Sequence, residues 1–438
     1  MKSDPVSLPA PRALVSDTRL RIAFFTETFL PRIDGTVTRL CNTVRQLRKM
    51  GHEVLVIAPD GGIGSFEGAR VYGIPGFPFL LYPELKLAVP RPSIGKALTE
   101  FQPDIIQALH PVLLGTSAFH YSSKLRVPLV VSYHAQLPKW LHYYGLGHLE
   151  PLAWWGIKAA YNRADLVLAT SQVMQKDLTA RGVQRVELWR RGVDTQLFAP
   201  ERASLEMRAR LTQGHPEDQL LLFVGRLSAE KDIEQCRPVL AGLPGTRLAL
   251  VGDGPHRSKL EHHFAGTPTY FAGYMRGEEL ASAYASSDVF FMPSPTETLG
   301  LVVMEAMAAG CPVVAVAEGG IVDILREGVT GHLFAHHDRE GAIVAIRRLL
   351  DDPAHSTEVR LRARDDAERW SWSGATNQLE GYYRGVLDRD RILAREISDH
   401  VAPNASTQEI CEELQISRAT LRRHMRAGAA PAPNYLSQ

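Results

Sequence analysis

The chain is predicted to be an α/β protein with two parallel-sheet domains facing across a cleft and a small helical C-terminal tail. Short β-branched runs alternate with amphipathic helical stretches from residue 21 to about residue 350, the pattern of parallel strands joined by crossover helices. The alternation breaks once, over the polar segment 190–219 with its Gly and Pro, and then restarts. At 438 residues, 45% hydrophobic and 22% charged, the chain has apolar residue enough for more than one core.

RIAFFT at 21–26 reads as the first strand. Val37, Leu40, Cys41, Val44, Leu47 and Met50 then recur at helical spacing, with Gly51 as the stop. EVLVIAP at 53–59 is a second strand, and 103–110, 127–134 and 164–171 are buried strands. A hinge is expected near 192–200. The second series runs 220–225, 247–254, 269–274, 288–294 and 312–320, each segment ending in Gly, Pro or Ser and feeding a helix. This assigns 18–195 to an N-terminal domain, 196–370 to a second domain and 400–438 to the tail. Ligands of such sheets bind at the carboxyl ends of the strands.

Net charge is +1, so overall charge does not argue for nucleic acid. The halves differ: residues 1–195 carry 23 Lys+Arg against 15 Asp+Glu, and the rest 26 against 33, so the first half suits an anionic surface. The four cysteines are far apart and form no C-x-x-C, which argues against a disulfide framework or a zinc site and fits a reducing compartment. No apolar run is long enough to span a bilayer. The polar first 18 residues lack the apolar stretch of a secretory signal, so a cytoplasmic protein is expected.

The strongest chemical signal is PTETLGLVVMEAMAAGCPVV, with Glu297 and Glu305 eight residues apart. A helix should begin near Leu299–Gly300, and the amides of Leu299, Gly300, Leu301 and Val302 should aim at a diphosphate. Gly300 would let the phosphate approach the backbone. In VGRLSAEKD, Arg226 and Lys231 follow a buried strand and can grip the same diphosphate, Arg as a fork and Lys as a point charge. Two cations there would stabilise a departing diphosphate without a metal. GDGP at 252–255 is a tight strand-end turn. DRD at 388–390 has the form of a metal–nucleotide motif but lies far from these segments.

In this order the motifs resemble the retaining glycosyltransferases of family 4, with likeness from about 21 to 384. The resemblance implies the GT-B fold of two Rossmann-like domains. It implies that Arg226 and Lys231 hold the diphosphate, that Glu305 bonds the ribose hydroxyls and that Glu297 lies beside the donor sugar. It implies that Gly273, Tyr274 and Met275 read the nucleobase, with Thr298 completing the donor loop. Gly35 matches the glycine beside diphosphate and acceptor, and His134 a histidine that contacts the sugar. Residues 371–390 look like the family's last helix, which returns to the first domain. Segments such as TETFLPRIDGTVTRL, SYHAQLPKWLHYYGLG and VELWRRGVDTQLF are similar to the sulfolipid-forming branch, which uses UDP-sulfoquinovose and diacylglycerol. SYHAQLP departs from the expected SYHTHLP at Ala135 and Gln136. A glucosyl- or mannosyltransferase making another glycolipid is the alternative.

A sulfonate needs a cation when desolvated, and Arg32 and Arg191 are the candidates. Segments 75–93 and 137–163 suit a peripheral membrane face: the second carries Trp140, Trp154 and Trp155 with Lys139, Lys158 and Arg163. In the tail, 407–428 reads as two helices with Ile410, Leu414, Ile416 and Leu421 packed together, Ser417 as a cap and Arg418, Arg422 and Arg423 exposed. A docking hairpin is expected, and DNA binding is the alternative from another class.

Overall fold

The computed structural model describes residues 19–428, apart from 33, 80–81, 135, 144, 401–406 and 415. The first sheet contains β1 (Arg21–Thr26), β2 (Glu53–Pro59), β3 (Ser65–Phe66) and β4 (Ala69–Ile74). A separate hairpin, β5 (Gly76–Phe79) and β6 (Tyr82–Ala88), lies beside it. The sheet continues with β7 (Ile105–Leu109), β8 (Leu129–Tyr133), β9 (Leu166–Ala169) and β10 (Val186–Leu188). Its order is β10-β9-β8-β7-β1-β2-β4-β3, parallel except for the β3–β4 pair. Side chains alternate across it: Ile22 and Phe24 enter one core, Ala23 and Phe25 the other.

The second sheet contains β11 (Gln219–Val224), β12 (Thr246–Val251), β13 (Thr269–Gly273), β14 (Val289–Met292), β15 (Val313–Val316) and β16 (His332–Phe334). Its order, β13-β12-β11-β14-β15-β16, reverses between β11 and β14. The first sheet reverses between β1 and β7. A doubly wound sheet opens a crevice where its strand order reverses. The loops after β11 and β14 flank that crevice in the second sheet, and they carry Arg226, Lys231 and Glu297.

The chain crosses between the domains twice. Val193 N–H donates to Trp370 O at 3.0 Å, so the two crossings run together. The helix Trp372–His400 then lies on the first domain, with Leu379 and Tyr383 in its core. Trp189 Nε1 donates to Ala375 O at 3.2 Å, and Tyr383 donates to the buried Gln107. This helix runs ten residues past the expected end at 390, and it absorbs DRD 388–390 into its surface.

The tail corrects one expectation. The helices Thr407–Glu413 and Arg418–Gly428 do pack through Ile410, Ile416 and Leu421, against Leu393 of the long helix. Ser417 Oγ accepts from Thr420 N–H at 3.0 Å, as a cap should. Arg423, however, is buried rather than exposed. It bonds Asp165 at 2.7 and 3.1 Å and also Asp390. Only Arg418 and Arg422 of that trio face solvent. A second correction concerns the tryptophans: Trp154 is buried, with Arg181 3.9 Å over its ring, Trp140 is half-buried and Trp155 is 69% exposed. Missing from the sequence reading were β3, β4, the β5–β6 hairpin, β10 and β16.

Candidate active site

Helix Gly35–Lys49 follows β1 and helix Leu301–Ala308 follows β14, so each begins at the carboxyl end of its sheet. The two starts face each other: a Cβ built on Gly35 would lie 3.7 Å from Leu301 Cδ1. Asp34 caps the first, accepting from Val37 N–H at 2.9 Å. Gly300 opens the second at φ 73°, a left-handed position that suits glycine.

Lys231 Nζ lies 2.8 Å from Glu297 Oε2, both side chains under one-fifth exposed. Glu297 also accepts from Gly300 N–H at 3.2 Å and from Leu299 N–H. Burial alone would raise this carboxyl, but Lys231 and the two amides hold it below the usual carboxylate range. This differs from the expected helix start with its amides open from Leu299 to Val302: the first two are taken by Glu297. The cause is local, because a carboxylate three residues ahead of Gly300 reaches the helix's positive end as a phosphate would.

Glu305 lies within the helix and accepts from Tyr284 Oη at 3.1 Å. Burial pushes its carboxyl up to about 8, the Tyr284 bond opposing and the Glu297 charge adding. Across the cleft, His134 is buried at the end of β8. Its Nε2 lies 2.8 Å from Ser132 Oγ, and its ring meets Trp189 edge-on at 5.9 Å. Burial, then the charges of Arg39 and His110, hold the imidazole far below its usual range, so it is neutral. Thr298 Oγ1 donates to His134 O at 2.7 Å and joins the donor loop to the first domain.

Arg226, Arg32, Asp34 and Arg276 gather around Tyr274, which is 51% exposed; burial first, then these four charges, act on its phenol. Met275 is buried behind it, and Gly273 takes φ 75°. Arg32 therefore lies at the Tyr274 end of the cleft, 3.5 Å from Asp34. Arg191 lies elsewhere, 3.8 Å from Asp323 of the second domain, with Nη1 buried and unbonded. The two sulfonate candidates thus have different acidic partners.

Sequence reasoning missed four supports. Asp323 accepts from the amides of Gln172 and Val173 at 2.5 and 3.2 Å, holding a helix start of the first domain. Gly320 N–H donates to Glu297 O at 2.7 Å, and a Cβ on Gly319 would lie 2.2 Å from that oxygen. The Gly-Gly pair after a strand was the available signal, since such pairs mark close backbone approach. Arg39, 3.6 Å over the Trp189 ring, and Tyr284 carried no local signal.

Residues 33–197 match Glycosyltransferase Family 4, and residues 209–370 match Glycosyl transferases group 1. The chain is 40% identical over 385 residues to sulfoquinovosyl transferase SQD2 of Arabidopsis thaliana, covering 86% of this chain and 74% of that one. It is 36% identical over 382 residues to a GDP-mannose-dependent alpha-mannosyltransferase of Mycobacterium tuberculosis, covering 84% and 98%. In fold it is similar to Anabaena HepE, solved in complex with UDP, at TM-score 0.66 and 20% identity over 84% of this chain and 100% of that one.

Proposed function

This chain belongs to glycosyltransferase family 4 and has the GT-B fold, and from that premise we propose that it transfers sulfoquinovose from UDP-sulfoquinovose to 1,2-diacylglycerol with retention, releasing UDP. One observation carries the choice of sugar: the 40% identity to a sulfoquinovosyl transferase over 86% of the chain. The mannosyltransferase at 36% supports the second reading, transfer of an unsulfonated hexose.

In this reading the donor binds mainly to the second domain and the lipid enters from the first. The donor diphosphate replaces Glu297 at Lys231 and takes Arg226 as its second cation. Glu297, still held by its two amides, turns toward the sugar hydroxyls. The acceptor hydroxyl oxygen then bonds to the anomeric carbon while that carbon's bond to the diphosphate breaks on the same face. The departing phosphate oxygen takes the hydroxyl proton. Charge growing on the diphosphate meets two fixed cations, so the chemistry asks for no metal. Neutral His134 orients the sugar without adding charge. Of the two arginines, Arg191 suits the sulfonate better, because its buried Nη1 is unbonded and its partner Asp323 ends the turn that supports Glu297.

Membrane attachment rests on the first domain's surface. Leu152 is 62% and Trp155 69% exposed on the helix Glu150–Tyr161, with exposed Lys139 and Lys158 nearby in sequence. Rings and aliphatic chains enter the interface while the cations meet anionic headgroups. Among the described residues, no helix is long and apolar enough to cross a membrane.

The test is direct. The purified protein is incubated with diacylglycerol in anionic vesicles and with UDP-sulfoquinovose, UDP-glucose or GDP-mannose in separate tubes, each with and without chelator. Released UDP and sulfolipid from the first tube alone, unaffected by chelator, is the expected result. Product only from glucose or mannose overturns the sugar, and loss under chelation that is also seen in His336→Gln/His337→Gln overturns the metal-free chemistry.

A further inference from the structure

We propose that Asp232, His336 and His337 form a divalent-cation site beside the cleft, with Zn²⁺ as the best-suited occupant. Asp232 Oδ2 lies 2.9 Å from His336 Nε2 and 3.9 Å from His337 Nδ1. All three ligand atoms lie within 4.8 Å of one another. Tetrahedral zinc with ligands at ~2.0–2.1 Å asks for donor separations of about 3.3 Å, so the His336 and His337 rings, which stack at 3.8 Å, must splay apart to bring both nitrogens onto one ion. Two imidazoles and one carboxylate are the donor set of late first-row metals rather than of Mg²⁺ or Ca²⁺.

Two further features single out this trio from an ordinary His–Asp pair. Glu318 Oε1 lies 3.6 Å from His336 Nδ1. At that distance Glu318 is an ion-pair neighbour, and it can take the Nδ1 proton's hydrogen bond once the ring turns from Asp232 toward an ion. The backbone at Asp232 (φ 52°) and His337 (φ 64°) is left-handed without glycine, which tertiary structure must hold in place. The ligands come from two loops, one following β11 and one following β16, so a cation would tie them together. His337 is 62% exposed, which leaves a fourth position open to water.

The site lies next to Lys231 in sequence but uses none of the groups assigned to the diphosphate. Its place is therefore regulatory or stabilising, and it does not depend on which sugar is transferred. Glu230, Glu318 and Asp232 also face Tyr143 of the first domain, which places the cluster at the domain boundary.

Titration of Co²⁺ into the full chain, followed by visible d–d absorption and displaced by Zn²⁺, reads the site independently of activity. One equivalent is expected, with binding weakened at least ~100-fold in His336→Gln/His337→Gln and about tenfold in Glu318→Gln. His355→Gln, at a separate histidine pair 2.9 Å from His332, should leave binding unchanged. Circular dichroism checks that each variant is folded. Saturable binding that survives the His336/His337 change, that is lost in His355→Gln, or that is absent from the parent protein overturns the proposal.

Discussion

Each domain has a buried ion pair at one end of its sheet, and the two pairs behave as opposites. At the cleft end of the second sheet, Lys231 meets Glu297 of the same domain through one ammonium contact, 2.8 Å long. At the far end, where β8 and β9 begin, Arg423 of the tail meets Asp165 twice and Asp390 once. Asp165 also accepts from Thr420 Oγ1 at 2.9 Å and Leu129 N–H at 2.8 Å. Burial alone would raise the Asp165 carboxyl, yet Arg423 and these donors hold it below the usual range. The far cluster is held by several contacts at once, and breaking it strands a charge away from water. The cleft pair is a single contact that a doubly charged diphosphate can displace. A buried ion pair marks a fixed joint when many contacts share the load, and a site when a stronger anion can take one partner.

The largest test of this contrast lies in the cleft. Arg226→Ala with Lys231→Ala should cost about 4 kcal/mol of transition-state stabilisation, roughly a thousandfold in kcat/KM, read as UDP release. Near-normal turnover would refute the assignment of those cations. Arg423→Ala should lower the stability of the docked tail by about 3 kcal/mol while leaving kcat nearly unchanged. Hydrogen exchange over 407–428 reads the first effect, and a matching fall in kcat would show that the far end is coupled to the cleft.

A smaller effect sharpens the role of Glu305. Its folded carboxyl titrates near pH 8, above the unfolded value, so at pH 6–7 it is neutral. The fold favours that neutral form, so this contribution is full below the ordinary carboxyl value of 4.5 and is lost as pH rises from there through about 8. Ribose hydroxyls donate best to the ionised form. UDP affinity should therefore rise between pH 6 and 8, by up to about tenfold per unit, and Glu305→Gln should flatten the profile in calorimetry. The smallest effect lies at the surface. Trp155→Ser should reduce partition onto anionic vesicles by roughly tenfold in sedimentation, without changing turnover on detergent-dispersed acceptor.

The strands β1, β2, β7 to β9 and β11 to β15 were legible because helices cover both sheet faces and leave uninterrupted apolar runs. The strands that escaped are short or broken by Pro and Gly: GFPF at β5, HLF at β16 and VEL at β10. The acid and base motifs were legible because strand, loop and helix put them in one stretch of chain. The contacts that position them were not. Thr298 reaches a carbonyl 164 residues away, and Asp323 caps a helix 151 residues away. Arg423 was read as solvated because its own helix offers no acid for it; its carboxylate lies 258 residues back.

The paired crossings between the domains have a mechanical consequence. A Cβ added at Gly192 would lie 2.8 Å from the Trp372 ring, so the outward and returning strands of chain touch without a spacer. Two tethers lashed at one line leave the halves a single axle. Whatever breathing admits a nucleotide sugar must pivot there, and a bulkier residue at 192 would tilt that axle rather than loosen it.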